Sequence, residues 1–275
     1  MTSVRSLAIV RSAVVSTSLS HRELLETLIP LARQAGDVVM AIYMTDFEVR
    51  GKGDASPVTE ADERAEAVIL AGLAALTPEI PVVAEEAVAA GRIPEVGERF
   101  WLVDPLDGTK EFIRRNGEFT VNIALVEARQ PVLGVVLAPA LGRLYAGGAG
   151  AGAFIEDDRG RRPIRCRLPP DEGLTVVASR SHGDAAALDA FLAGRRVAKQ
   201  ISAGSSLKLC LIAAAEADLY PRLGRTMEWD IAAGHAVLAA AGGRVSQLDG
   251  RPLHYGKPDF ANPHFVATGF ADRPA

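Results

Sequence analysis

The spacing of apolar residues near the start of the chain predicts a long amphipathic helix. Ser20 and Glu23 fit a capping box, in which two side chains satisfy free backbone amides at a helix start. The apolar residues that follow recur every three or four positions, as on one helical face: Leu24, Leu25, Leu28, Leu31, Ala32, Ala35, Val38, Val39 and Ile42. We therefore expect a helix of about five to six turns whose apolar face packs on the core.

A turn-rich loop at residues 52–57 separates this helix from a second one. Thr59 to Asp62 form another capping-type signal, and apolar residues at helical spacing continue to Leu76. Asp62 then occupies the third helical position, where the helix dipole stabilises an acidic side chain. From the local pattern alone, this structural explanation of Asp62 is sufficient.

Two short apolar stretches, residues 81–84 and 100–103, predict buried strands, and acidic residues follow each of them at once. Glu85 and Glu86 follow the first, and Asp104-Pro-Leu-Asp-Gly-Thr109 follows the second. Open α/β folds bind ligands at the carboxyl edge of their strands. Carboxylate and carbonyl oxygens suit hard cations such as Mg²⁺ or Ca²⁺. Taken alone, the second stretch fits a cation loop about as well as a plain acidic turn.

The pattern changes near residue 170 and indicates two lobes. Residues 119–126 and 132–138 predict strands of an antiparallel meander, followed by glycine-rich turns. From Leu174 onward, short strands alternate with helices, one of which is predicted at 185–192. We divide the chain into a loose extension (1–20), a metal-binding α+β lobe (21–170) and an α/β substrate-binding lobe (171–275). The two lobes are expected to share a cleft in one compact catalytic unit.

Composition and charge exclude several classes of function. The 275 residues carry a formal net charge of −4, which argues against sequence-independent binding of nucleic acid. Cys166 and Cys210 are too few for a disulfide framework or a thiolate metal site. The expected location is therefore the reducing cytoplasm, and a peripheral position at the cytoplasmic face of the inner membrane stays open. No apolar run reaches the roughly 18 to 20 residues of a membrane span, and Arg11 interrupts what would be the core of a signal peptide.

Four acidic residues become informative when they are considered together: Glu85, Asp104, Asp107 and Asp230. Three of them follow strands, and Asp230 opens a predicted helix, where alone it would be a dipole-stabilised acid. Carboxylates gathered in one cleft repel each other and raise each other's pKa. Divalent cations relieve that repulsion, and a pair of them is a known device for in-line phosphoryl displacement.

Basic residues in loops and at element ends complement such an acidic site. The set contains Lys52, Lys110, His182, Lys208 and Arg222. Each is most simply a solvated surface residue, but together they offer the contacts that a ligand with a second phosphate needs. A haloacid-dehalogenase-type phosphatase is disfavoured, because its D-x-D-x-T motif is one residue shorter than the spacing found here.

These motifs resemble those of the inositol monophosphatase superfamily over residues 22–268. Asp104-Pro-Leu-Asp-Gly-Thr109 and Trp229-Asp-Ile-Ala-Ala-Gly234 resemble its two signatures in the correct order, with Ala84-Glu-Glu86 upstream. The family more often has Ser where Ala84 stands, beside a carboxylate that is kept. Lys110-Glu111 and Gly204-Ser-Ser-Leu-Lys208 resemble the CysQ-type 3′(2′),5′-bisphosphate nucleotidases, whereas inositol phosphatases typically have Thr-Asn after the Gly-Thr.

The resemblance implies a layered α-β-α-β-α fold and a Mg²⁺-dependent, Li⁺-inhibited phosphatase. It implies that two or three Mg²⁺ ions are bound by Glu85, Asp104, Asp107, Asp230 and the backbone carbonyl of Leu106. It also implies that Thr109 and Asp62 orient and deprotonate the attacking water, which replaces the purely structural explanation of Asp62. The implied substrate-binding residues are Glu85, Leu106, Asp107, Gly108, Thr109, His182, Ser205, Ser206, Lys208, Arg222 and Asp230.

The reaction implied by the resemblance is hydrolysis of adenosine 3′,5′-bisphosphate to AMP and phosphate by attack of a metal-activated water. 3′-Phosphoadenylylsulfate is a second expected substrate, and sulfur assimilation is the expected setting. The main alternative is an inositol-phosphate or fructose-bisphosphate phosphatase of the same superfamily, which Lys110, Glu111 and the basic set disfavour. A non-catalytic metal- or nucleotide-binding protein would not need an intact Thr109 and Asp62. The oligomeric state stays open between a monomer and a homodimer.

Overall fold

The computed structural model describes residues 19–45, 57–180 and 185–270. Most of the predicted N-terminal extension lies outside these residues, as do Lys52 and His182. Within them, helices and two β-sheets alternate in layers.

The first helix, α1, spans His21–Tyr43 and confirms the predicted amphipathic helix. The capping box is present, because the Glu23 amide donates to the Ser20 hydroxyl and the Ser20 amide donates to the Glu23 carboxylate at 2.9 Å. The apolar face of the helix is buried from Leu24 to Tyr43. The pattern of apolar positions therefore predicted both the start and the buried face of α1.

The second helix, α2, spans Pro57–Leu76 and begins earlier than predicted. Proline is favoured at the first helical position because its missing N–H would have no intrahelical partner there. Asp62 therefore lies in the second turn rather than at the third helical position, and only 6% of its surface is exposed. The prediction that Asp62 is a first-turn acid was wrong.

The described residues form a first sheet of seven strands, arranged in the order in which they occur along the chain. They are β1 (Val82–Ala84), β2 (Arg99–Asp107), β3 (Thr120–Glu127), β4 (Gln130–Ala138), β5 (Arg143–Gly148), β6 (Gly152–Asp157) and β7 (Gly160–Pro163). β1 and β2 are parallel and all later neighbours are antiparallel, which confirms the predicted meander. Gly147 and Gly148, predicted as turn residues, lie inside β5. Two short helices, α3 (Glu85–Ala89) and α4 (Thr109–Ile113), were not predicted.

Successive residues of β2 face two different apolar clusters. Phe100 and Leu102 belong to one cluster, and Trp101 and Val103 belong to the cluster beneath α1 and α2. Because the side chains of a strand alternate between its faces, a sheet covered on both sides needs an unbroken apolar strand. Residues 100–103 meet that requirement, and the buried strand delivers the acids of the motif to the edge of the sheet.

The described residues also form a second sheet of five strands: β8 (Leu174–Ser179), β9 (Val197–Ala203), β10 (Leu219–Arg222), β11 (Arg244–Gln247) and β12 (Phe265–Thr268). Their order across the sheet is β11-β12-β10-β8-β9. The helices of this half are α5 (Ala185–Leu192), α6 (Leu207–Ala213) and α7 (Glu228–Ala240). Arg222, predicted to lie in a loop or at the end of an element, is the last residue of β10.

The layers follow the order that the resemblance implied. α1 packs on β3 to β5 and α2 on β1 and β2, while α7 packs on β2 to β6, and α6 joins α7 to the second sheet. Leu188 and Phe191 of α5 pack on the second sheet from its outer side. This is the expected α-β-α-β-α arrangement. In the described part of the chain, no helix is long and apolar enough to cross a membrane, and Cys166 and Cys210 are free.

Candidate active site

A cavity of about 330 Å³ opens at the carboxyl ends of β1 and β2. Because these strands are parallel neighbours, Glu85 after β1 lies on the same edge as Asp104 and Asp107. Asp230, in the first turn of α7, joins them in the cavity wall. The wall also contains other predicted site residues, namely Leu106, Gly108, Thr109, Ser205, Ser206, Lys208 and Arg222. The structure therefore brings the five predicted metal-binding residues together.

The segment from Asp104 to Thr109 is shaped by its own backbone. The amide of Leu106 donates to the Asp104 carboxylate at 3.0 Å, which closes a two-residue side-chain turn. The pairing of β2 with β3 is irregular between Asp104 and Asp107. Gly108 has a φ of +98°, a left-handed conformation that glycine adopts without strain, and it precedes the first residue of α4. These features turn the chain so that Asp107 and Thr109 both line the cavity.

A loop from the second half of the chain holds two of the acidic residues. The Ser206 amide donates to Oδ2 of Asp107 at 2.7 Å, and the Ser206 hydroxyl donates to the backbone carbonyl of Asp230. The preceding Ser205 has a φ of +41°, which is a strained conformation for a residue with a β-carbon. Asp230 itself accepts the Met227 amide at 2.8 Å and so caps α7. The positions of Asp107 and Asp230 are thus set by backbone contacts.

Burial and mutual repulsion raise the pKa of the four clustered carboxyl groups, Glu85, Asp104, Asp107 and Asp230. The pKa of Asp104 is raised well above its ordinary value, first by burial and then by the charges of Glu85 and Asp107. Burial and the charge of Asp230 raise the pKa of Asp107 to about 7, although Lys208 opposes them. Burial also raises the pKa of Glu85 to about 7 and that of Asp230 to about 6. A positive charge near these carboxyl groups would therefore stabilise their ionised forms.

The groups in this cavity that could bind a metal ion, namely the four carboxylates and the Leu106 carbonyl, all offer oxygen atoms. In the parts of the chain that the structure describes, no three His, Cys, Asp or Glu side chains are gathered tightly enough for a ready-made metal cage. Mg²⁺ retains several waters and usually takes one or two carboxylates together with substrate phosphate. The donor set thus suits a hydrated hard cation rather than a fully enclosed one.

Thr109 and Asp62, the predicted catalytic pair, lie on different helices. Thr109 is the first residue of α4 and faces the cavity. Asp62 is buried on α2 and is not part of the cavity wall. Burial, followed by the charges of Glu86 and Glu85, raises the pKa of Asp62 to about 9. The charge of Asp62 in turn helps to raise the pKa of Asp104, so Asp62 acts electrostatically on the cavity although it does not line it.

The predicted cations Lys208 and Arg222 line the cavity and also contact the backbone. The Lys208 ammonium is buried and donates to the carbonyl of Ser205. The Arg222 guanidinium donates to the carbonyl of Arg225 at 2.7 Å. Burial lowers the pKa of Lys208 to about 8, against the opposing charge of Asp107. Lys110 lies in the same wall, whereas His182 is outside the described residues.

Several residues of the site were missed by sequence reasoning. Arg225, three residues after Arg222 along the chain, is part of the cavity wall. Glu118 accepts the Gly204 amide at 2.8 Å and forms an ion pair with Arg180 at 2.8 Å. A Cβ on Gly204 would lie 2.5 Å from the Glu118 carbonyl oxygen. Glu118 lies in Asn116-Gly-Glu-Phe-Thr-Val-Asn-Ile-Ala-Leu125, a stretch that also resembles the CysQ-type nucleotidases, but that resemblance does not specify what Glu118 contacts.

A larger cavity of about 540 Å³ lies between the β6–β7 hairpin and the end of α7. Its polar lining consists of Arg161, Arg162 and Arg165, and no acidic residue of the described chain contributes to it. Arg161 and Arg162 are already paired with Glu26 and Asp157. Because this cavity lacks metal-binding oxygens, the smaller, carboxylate-lined cavity is the candidate active site.

Comparison with known proteins finds a protein family and individual proteins to which this chain is similar. Residues 20–271 match the model of the inositol monophosphatase family. The 3′(2′),5′-bisphosphate nucleotidase CysQ of Escherichia coli (strain K12) is 48% identical over 247 residues, which cover 88% of this chain and 98% of that protein. CysQ of Salmonella typhimurium is 49% identical over 250 residues, which cover 89% of this chain and 99% of that protein.

Solved structures show the same likeness. CysQ from Bacteroides thetaiotaomicron, a member of the inositol monophosphatase family, is 38% identical and has a TM-score of 0.80, covering 94% of this chain and 100% of that chain. Inositol monophosphatase from Anabaena is 28% identical and has a TM-score of 0.72, covering 90% of both chains.

Proposed function

The chain belongs to the inositol monophosphatase family, and on that premise we propose that it hydrolyses adenosine 3′,5′-bisphosphate to AMP and phosphate. The observation that carries the proposal is one cavity in which acidic residues (Asp104, Asp107) lie beside buried cations (Lys208, Arg222). A substrate with one phosphate to cleave and a second phosphate to bind matches that distribution of charge. CysQ nucleotidases that align over nearly their whole length support the enzyme class.

The donor chemistry of the cavity fits Mg²⁺. Glu85, Asp104, Asp107, Asp230 and the Leu106 carbonyl would hold two or three ions, which supply positive charge to the phosphate and make a bound water more acidic. The oxygen-only donors and the raised pKa values of the carboxyl groups support this assignment. The inhibition by Li⁺ expected from the resemblance is part of the same proposal.

The chain's own residues have distinct roles in the proposed reaction. Thr109, which faces the cavity, orients the attacking water. Asp62, whose raised pKa the positive charge of bound cations would lower, accepts its proton through that hydroxyl group. The positive end of the α7 dipole, at the helix start that carries Asp230, favours the negative charge of the phosphate and of the leaving oxygen. Gly108 permits the left-handed turn that brings Thr109 to the cavity, and a Cβ there would lie 3.2 Å from the Glu118 carbonyl oxygen.

The second phosphate and the nucleoside have separate contacts. Lys208 and Arg222 are proposed to bind the 5′-phosphate, and Ser205 and Ser206 line the same wall. His182 belongs to this set by resemblance alone. Hydrolysis of 3′-phosphoadenylylsulfate to adenylylsulfate, and a place in sulfur assimilation, extend the proposal. The cytoplasmic location, the two-lobe boundary near residue 170 and the choice between monomer and homodimer stay predictions.

A phosphate-release panel tests the proposed function. The purified chain is incubated with Mg²⁺ and, in separate reactions, with adenosine 3′,5′-bisphosphate, 3′-phosphoadenylylsulfate, inositol 1-phosphate and fructose 1,6-bisphosphate. We expect the highest kcat/KM for adenosine 3′,5′-bisphosphate, dependence on Mg²⁺ and inhibition by Li⁺. Preference for inositol phosphate or the fructose bisphosphate would support the alternative phosphatase. Binding of the nucleotide without phosphate release would support the non-catalytic alternative.

A further inference from the structure

Glu66 is a buried acid that the proposed reaction does not use. It lies on α2, one helical turn after Asp62, and only 4% of its surface is exposed. Buried carboxylates are rare unless they are paired or hydrogen-bonded. Among the described residues, Glu66 forms no ion pair within 4 Å, and its carboxylate is stabilised chiefly by backbone amides, with a smaller contribution from the charge of Arg92.

The Glu66 carboxylate meets the start of α3. Its Oε2 atom accepts the amide of Glu86 at 2.8 Å. Burial raises the pKa of Glu66, while hydrogen bonds from the amides of Glu86 and Ala87 lower it. The first amides of a helix have no intrahelical acceptor, and Ala84, at the N-cap of α3, supplies no side-chain cap. Glu66 therefore caps α3 from a different helix.

This cap connects two residues of the proposed reaction. Glu85, a proposed metal ligand, is the first residue of α3 and immediately precedes the amide that Glu66 holds. Asp62, the proposed proton acceptor, lies four residues before Glu66 and so on the same face of α2. One side chain thereby joins the helix of Asp62 to the turn that presents Glu85.

We propose that Glu66 is a positioning residue, which fixes the Glu85 carboxylate for metal binding and holds it in register with Asp62. The inference rests on the proposed function, because it takes Glu85 as a metal ligand. A purely structural cap would affect stability alone. A positioning residue also affects the affinity for Mg²⁺. Removing a side chain that orients a metal ligand typically lowers metal affinity or activity by roughly 10- to 100-fold.

The test compares variants that keep or remove the acceptor. Glu66→Met removes the acceptor but keeps the length of the side chain, Glu66→Ala is a second variant without the acceptor, and Glu66→Gln keeps one acceptor oxygen. Glu60→Ala is the matched control, because Glu60 lies on α2 and pairs with Arg64 at an exposed position. Two quantities are measured: the Mg²⁺ concentration that half-saturates the rise in Tm without substrate, and the one that half-saturates hydrolysis.

We expect Glu66→Met to raise both half-saturating concentrations about tenfold, with Glu66→Gln and Glu60→Ala within about twofold of the wild type. If Glu66→Met does not fold, as judged by circular dichroism, Glu66→Ala decides. Wild-type half-saturation in a folded variant that lacks the acceptor would overturn the inference. A wild-type protein that shows neither a Mg²⁺-dependent Tm nor Mg²⁺-dependent hydrolysis would instead contradict the proposed function, so the two failures are distinguishable.

Discussion

The backbone amide of Ser206 donates to the carboxylate of Asp107 at 2.7 Å, which joins the loop before α6 to the end of β2. The two residues are far apart in the chain, and their elements belong to different halves of the fold. The contact lets Asp107 be ionised while it points into the cavity, because a hydrogen bond to the charged form lowers the pKa of a carboxyl group.

Two substitutions of Asp107 separate the effect of its charge from the effect of its hydrogen bond with the Ser206 amide. Asp107→Ala removes both, and Asp107→Asn keeps an oxygen that can accept the Ser206 amide. We expect both variants to lose turnover by roughly 10³-fold or more, because charge stabilisation in the transition state is lost. Steady-state phosphate release measures the loss, and circular dichroism checks the fold. Near-normal activity of Asp107→Asn would refute the assigned role of its charge.

Lys208 is expected to contribute more to nucleotide binding than to inositol phosphate binding. Lys208→Ala should raise KM for adenosine 3′,5′-bisphosphate at least tenfold, because it removes the proposed partner of the 5′-phosphate. Truncating one member of a buried, hydrogen-bonded charge pair costs about 2 kcal/mol or more. Its effect on inositol 1-phosphate should be smaller. Lys199→Ala, at an exposed position of β9, is the control. An equal rise in KM for both substrates would count against the nucleotide assignment.

The clustered carboxyl groups predict a pH dependence of the metal-free protein. The pKa of Asp107 is raised by burial to about 7, so folding favours its protonated form. The stability that this group contributes is fully present below its unfolded pKa of about 4 and is lost as the pH rises through 7. With EDTA, the Tm of the wild type relative to Asp107→Asn should therefore fall between pH 5 and pH 8.

Mg²⁺ should reverse this loss. Since the cation competes with protons for the carboxylates, we expect a larger rise in Tm from Mg²⁺ at pH 8 than at pH 5.5. Differential scanning fluorimetry with and without Mg²⁺ measures both values. A rise that is the same at both pH values would mean that Mg²⁺ binds elsewhere.

Because of the buried His235, we expect the stability of the fold to show the opposite pH dependence at acid pH. It is buried in α7 beside the hydroxyl of Tyr255 at 2.9 Å, and burial lowers its pKa to about 3. The folded protein keeps the imidazole neutral, so its contribution to stability is present above the unfolded pKa of about 6.5 and is lost as the pH falls towards 3. Urea unfolding at pH 7, 6 and 5 should show the wild type losing up to about 1.4 kcal/mol per pH unit relative to His235→Asn. The exposed His254→Asn serves as control and should retain the wild-type slope.

Local patterns were sufficient where one physical rule acted alone. The capping box at Ser20 and the apolar face of α1 were predicted correctly, as were the bounds of α5. The unbroken apolar run at 100–103 gave the two-faced strand β2. The convergence of Glu85 with Asp104 followed from the parallel strands that precede them.

The errors and omissions arose where two signals competed or where the backbone made the contact. At the start of α2, a capping-type signal at Thr59 competed with Pro57, and the proline marks the observed start. The contacts of Ser206 with Asp107 and of Glu66 with Glu86 use backbone amides. An amide has no residue type of its own, so no sequence motif records which distant side chain it will meet.

The burial of α7 between the two sheets has a consequence for synthesis on the ribosome. α7 covers the face of the first sheet to which Phe100 and Leu102 contribute, and it carries Asp230. At ordinary rates of translation, α7 leaves the ribosome on the order of ten seconds after β2. During that interval the nascent chain exposes an uncovered apolar sheet and lacks one of the four carboxylates. Premature termination before α7 would thus give an aggregation-prone fragment rather than a weakly active enzyme.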